Sequence, residues 1–246
     1  MLPNLLVKRQ RSPRSSYAWL PMTWPHVRCG WVKMERSPPR RGTVLIEGST
    51  LSVNWVKELA SLAAAKGCEL LDAPVTGTRS PAAAGQLNFF VGGDAATLER
   101  VRPVFAPMAK SVTHLGPTGS GAMIKIINNF VCGVQVAALA EALVMIERSG
   151  LNRDLAISVL TDGAPGSPLV KLISARMTSA DYAPNFMLKL MTKDLGYALQ
   201  EGKLFSTELA TAASAHDLFK QAVASGHGDQ DMSALIEQIR NQKTKR

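Results

Sequence analysis

The stretch Gly119-Ser-Gly121-Ala-Met-Ile-Lys125-Ile-Ile-Asn128-Asn129 sets an ammonium and two carboxamides into an otherwise apolar run. On a helix, Lys125 and Asn129 stand four residues apart and project from one face near the same end. Gly119 and Gly121 permit close backbone approach at the helix N-terminus, where free amides and the helix dipole favour anionic groups. A lysine and an amide on an apolar face are costly to bury without partners. Two readings are level on this chemistry: a pocket that uses the lysine as an acid or base, and a capped helix whose lysine snorkels to water. The glycine pair is not a dinucleotide fingerprint, because the third glycine of GxGxxG would fall at Ile124.

Other reactive side chains are scattered. Cys29, Cys68 and Cys132 are odd in number and never form a CxxC pair, which suggests neither a disulfide framework nor a zinc site. A cytoplasmic setting fits best, or a mitochondrial one if the source is eukaryotic. His26, His114, His216 and His227 lack the spacing that aligns two imidazoles on a helix face, so no metal is expected.

The elements that would position Lys125 alternate and then stop alternating. Thr43–Ile46 reads as a buried strand, Glu47-Gly48-Ser49-Thr50 as a turn, and a helix capped by Ser49 or Thr50 follows to about Lys66, ended by Gly67. Cys68–Leu71, Gln86–Gly92 and Val112–Leu115 read as further strands, with a helix over Ala95–Met108. This alternation implies parallel pairing through crossovers. From Ala122 to Ser149 one long apolar helix is expected, then helices near 152–162, 168–178, 185–202, 207–224 and 231–241. The predicted fold is thus α/β then all-α: a partial doubly wound, Rossmann-like parallel sheet over 43–118, followed by a helical domain over 119–246 joined to it by a long central helix.

Net charge is +9, and residues 1–42 alone carry +8 of it, with three of the four tryptophans and six of the fourteen prolines. The remaining chain is nearly neutral and offers no electrostatic footprint for nucleic acid. Residues 1–42 show no sustained periodicity and are expected to be poorly ordered. Three readings fit them: a transit peptide, a basic nucleic-acid arm, or a non-native segment arising from a misassigned start or frameshift. The last is favoured. The longest uncharged run, Ile126–Ala140, has 15 residues and contains Asn128, Asn129 and Gln135, so no membrane span is expected.

Gly119 to Asn129 resembles the catalytic signature GxGxxxKxxNN of the beta-hydroxyacid dehydrogenase family and matches each fixed position. Asp72-Ala-Pro-Val-Thr76-Gly77-Thr78, followed by Gly85 and Leu87, resembles the family's substrate motif DAPVSGGxxxAxxG. Phe186, Leu190, Lys193 and Asp194 resemble its FxxxLxxKD, and Thr50 matches the threonine of its DxST turn. The resemblance implies an NAD- or NADP-dependent dehydrogenase acting on a small 3-hydroxy acid of the 3-hydroxyisobutyrate or tartronate semialdehyde type, and a homo-oligomer. It implies Lys125 as the acid–base group and Asn129 as a catalytic and substrate-binding residue. It further implies substrate contacts at Thr76, Gly77 and Thr78, and cofactor contacts at Thr50, Gly121, Phe186, Lys193 and Asp194. A lysine base needs its pKa lowered by burial or positive charge, for which Lys193 and the oxidised nicotinamide are the expected neighbours.

The chain departs from the family pattern in four places. Thr76 stands for serine, Thr78 for the second glycine and Glu47 for the aspartate of the turn, and no GxGxMG turn occurs. Gly226-His-Gly228 lies between predicted helices and reads as a connecting loop. The missing turn predicts weak nucleotide binding and impaired hydride transfer by this chain. The alternative is a non-catalytic oligomerising or interaction protein derived from the same family.

Overall fold

The computed structural model describes residues 17–19 and 41–242. Strand β1 (Tyr17–Trp19) runs parallel to β2 (Val44–Glu47), and β2 runs parallel to β3 (Glu69–Asp72). The crossover from β2 to β3 is α1 (Val53–Ala65), whose N-cap is Ser52: its hydroxyl accepts from the Trp55 amide. The cap therefore lies beyond the Ser49 or Thr50 expected from sequence, because the turn after β2 continues through Leu51.

After β3 the chain forms β4 (Val75–Thr76) and a short helix, α2 (Arg79–Ala83), before β5 (Leu87–Gly92). Strand β5 is antiparallel to both β3 and β4, and only β6 (Ala109–Gly116), reached through α3 (Ala95–Phe105), is parallel to it. The six strands lie in the order β1-β2-β3-β5-β4, with β6 on β5. The sheet is mixed, which corrects the all-parallel expectation. A parallel return needs a crossover of a dozen or more residues. Between β3 and β5 half of the connecting chain is spent on β4 and a five-residue helix. Strand β1 falls inside the segment expected to be poorly ordered, and most of that segment lies outside the described residues.

One sheet face packs Val44, Ile46, Leu71, Phe89 and Val91 against Leu98, Val101 and Phe105 of α3, with Phe89 and Phe105 edge to face at 4.9 Å. The other face belongs to α1 and to α4 (Ser120–Ser149), where Val53, Val56 and Leu70 meet Ala122 and Ile126. Helix α4 then continues into a helical layer of α5 (Arg153–Asp162), α6 (Pro168–Ser179), α7 (Leu188–Leu204), α8 (Ala210–Ala222) and α9 (Leu235–Arg240). It is long and apolar enough to cross a membrane, yet half of its most apolar window is buried within the chain, as in a core helix. Gly226-His-Gly228 belongs to the turn after α8.

Candidate active site

Helix α4 is fixed to the sheet by a carboxylate. Asp72, at the end of β3 and 1% exposed, accepts from the amides of Gly119 and Ala122, each at 2.8 Å. Burial pushes its carboxyl up from the ordinary value, and these amides pull it back down. The helix N-terminus thus holds an anion supplied by the chain itself. Gly121 permits this contact: a Cβ there would stand 2.4 Å from the Phe90 carbonyl oxygen and 2.7 Å from that of Asp72. Its observed use is close packing of helix on sheet. Gly119 has φ +96, a backbone conformation that glycine adopts at no steric cost.

One and a half turns into α4, Lys125 is half-buried, and among the described residues its ammonium has no hydrogen bond or ion pair. Burial lowers its pKa most, and Lys193 pushes the same way, while Asp194 and Cys132 oppose them. One turn further, Asn129 is 4% exposed and donates from Nδ2 to Asp194 Oδ2 at 2.6 Å. Asp194, on α7 and 1% exposed, pairs through Oδ1 with Lys193 Nζ at 2.7 Å. The same Nζ donates to the Thr50 carbonyl at 2.7 Å and lies 4.7 Å from the Tyr197 ring centroid. Eight residues on, the carboxylate of Glu201 accepts from the Val53 amide at the start of α1 at 3.3 Å. Helix α7 therefore grips the sheet layer at two points, and the first is part of the lysine cluster.

The structure brings together Lys125, Asn129, Lys193, Asp194 and Thr50. The loop of Thr76, Gly77 and Thr78 starts four residues beyond Asp72. No hydrogen bond among the described residues joins these three to Lys125 or Asn129. Gly77 has φ +135, and a Cβ there would meet Leu87 Cδ2 at 2.8 Å. Gly77 and Thr78 are exposed, which leaves their amides open to a ligand. Phe186 packs on the helical core, and its amide donates to Asp231 Oδ2 at 3.0 Å. The capping role of Asp72 and the grip of Glu201 carry no local sequence signal, since each acts on a backbone amide at least 47 residues away in the chain.

For a nicotinamide cofactor, this donor set fits one end. Lys193 supplies an ammonium beside the Thr50 turn, at the end of a parallel strand where open α/β sheets take ligands. The sequence holds no glycine-rich turn for the pyrophosphate, and the amides at the start of α4 are already taken by Asp72.

Residues 119–239 match the family described as the NAD-binding region of NADP-dependent 3-hydroxyisobutyrate dehydrogenase, and residues 37–116 match the NAD-binding domain of 6-phosphogluconate dehydrogenase. A probable 3-hydroxyisobutyrate dehydrogenase of Mycobacterium tuberculosis is 38% identical over 209 residues, covering 82% of this chain and 70% of the relative. Glyoxylate/succinic semialdehyde reductase 1 of Arabidopsis thaliana is 34% identical over 199 residues, covering 81% and 69%. The crystal structure of a 3-hydroxyisobutyrate dehydrogenase from Salmonella typhimurium superposes with a TM-score of 0.75 at 31% identity, covering 80% of this chain and 70% of its own. The Mycobacterium tuberculosis 3-hydroxyisobutyrate dehydrogenase with L-serine gives 0.75 at 36% identity, covering 82% and 71%.

Proposed function

Because the chain belongs to the beta-hydroxyacid dehydrogenase family, whose cofactor is NAD or NADP, we propose that it interconverts small 3-hydroxy acids and the corresponding semialdehydes, of the 3-hydroxyisobutyrate or tartronate semialdehyde type. The observation that carries this reading is the buried cluster of Lys125, Asn129, Asp194 and Lys193, tied to the Thr50 turn. A bound nicotinamide supplies the hydride acceptor or donor. Lys125, with a lowered pKa and no partner of its own, takes the proton of the substrate hydroxyl during oxidation and returns it during reduction. Asn129, fixed by Asp194, orients the oxygen that carries this proton. The open amides around Gly77 and Thr78 hold the carboxylate, and Thr78 narrows the space left for it. Lys193 and Thr50 hold the nicotinamide end of the cofactor. The absent glycine-rich turn supports weak nucleotide binding by this chain.

The test is turnover of 3-hydroxyisobutyrate, L-serine and tartronate semialdehyde with NAD(H) and NADP(H) at millimolar levels. Lys125→Met is expected to lower the rate by about 100-fold or more. A variant that keeps the parent rate would refute the assignment.

A second reading has its own observation. Helix α5 buries none of its residues; Leu155 and Val159, one turn apart, are 64% and 65% exposed, and Leu151, just before the helix, is 61% exposed. Such an apolar stripe suits a subunit interface. A stable oligomer by size exclusion, with no turnover by the parent chain, favours an assembly role over catalysis.

A further inference from the structure

We infer that Asn128 is a positioning residue that locks the carboxamide of Asn129 in one orientation. Its functional consequence rests on the hydride-transfer reading above. Neighbours on a helix point about 100° apart, so adjacent side chains do not ordinarily face each other. Here Asn128 Nδ2 donates to Asn129 Oδ1 at 3.0 Å. At the opposite end of the same amide, Asn129 Nδ2 donates to Asp194 Oδ2 at 2.6 Å. An ionised carboxylate can only accept, so the end facing Asp194 must be the NH₂. A flipped Asn129 would set oxygen against oxygen at Asp194 and NH₂ against NH₂ at Asn128. The two bonds therefore enforce the same choice from opposite sides. Asn128 Nδ2 also lies 3.9 Å from Cys132 Sγ, one turn on, a weak contact that steadies the donor.

The clamp uses one N–H and one lone pair of Asn129 and leaves one of each. A hydrogen bond accepted at Oδ1 polarises the amide and strengthens the remaining N–H as a donor. Asn129 shares its helix face with Lys125, one turn earlier. Asn128 acts only through Asn129.

The experiment uses the 246-residue chain with ¹⁵N-labelled asparagine, the Asn129 side-chain signal being assigned by its loss in Asn129→Ala. The parent is expected to show two well-separated Nδ2 protons that exchange slowly with water. In Asn128→Ala and Asn128→Asp, neither of which offers the donor, the separation should shrink and exchange should quicken by about tenfold. Asn128→Gln, which keeps an amide donor, should recover part of both. Unfolding temperature, followed in parallel, identifies any variant that loses the fold. Under turnover with 3-hydroxyisobutyrate, kcat should fall by about tenfold in Asn128→Ala while KM for the nucleotide stays unchanged. An Asn129 signal unchanged in a folded Asn128→Ala overturns the clamp, and an altered signal with unchanged kcat overturns its role in the reaction. If the parent turns over none of the hydroxy acids, the hydride-transfer reading fails, and the amide signal still decides for or against the clamp.

Discussion

At the scale of single residues, two side chains that the sequence places in one kind of motif do different work. Lys125 and Asn129 are legible as a pair because helical spacing puts them on one face, and the structure adds what spacing cannot show: the partners from α7. Asp72 was legible only as the first letter of a substrate motif. Its carboxylate instead satisfies two buried amides of α4. Asp72→Ala leaves both amides without an acceptor, at about 1–3 kcal/mol each. A loss of roughly 2–5 kcal/mol in denaturant unfolding is expected. Asp72→Asn should lose less, since one carboxamide oxygen still accepts while its NH₂ opposes the other N–H. Stability equal to the parent in Asp72→Ala would show that the cap is not used.

At the scale of elements, the long helix and its neighbours follow from periodicity, and the path between β3 and β5 does not. A two-residue strand such as Val75–Thr76 has no period to detect, and Arg79–Ala83 is a single turn. Strand direction is set by such short pieces, which is why the alternation pattern yields the strands but not the antiparallel β5. The glycine at the start of α4 belongs to the same scale, because its meaning lies in how closely helix and sheet approach. With a Cβ at Gly121 only 2.4 Å from a backbone oxygen, Gly121→Ala must lift the first turn of α4 off β5. Thermal unfolding is expected to report a loss of about 3 kcal/mol or more, above the usual range for a surface change. A variant within about 0.5 kcal/mol of the parent would contradict that packing.

At the scale of the whole molecule, the candidate cluster is also a seam. Lys193 and Glu201 of α7 reach the Thr50 turn and the start of α1, so sheet and helical layer meet through the candidate site. Nucleotide affinity is a property of the whole chain. Without a glycine-rich turn, calorimetric titration with NAD⁺ or NADP⁺ is expected to give dissociation constants in the millimolar range, about 4 kcal/mol of binding. Micromolar affinity would show that other residues hold the pyrophosphate.

The central claim is that burial lowers the pKa of Lys125 and so suits it to the proposed role of base. The unfolded chain binds more protons than the folded one between the lowered folded pKa and the ordinary lysine value of about 10.4, so this residue makes stability rise with pH across that window. Lys125→Met should remove that slope. The most direct measurement is a ¹³C NMR titration of the chain with labelled lysine. One signal, absent in Lys125→Met, should titrate below the others. A Lys125 signal that titrates with the exposed lysines, near 10.4, would contradict the account.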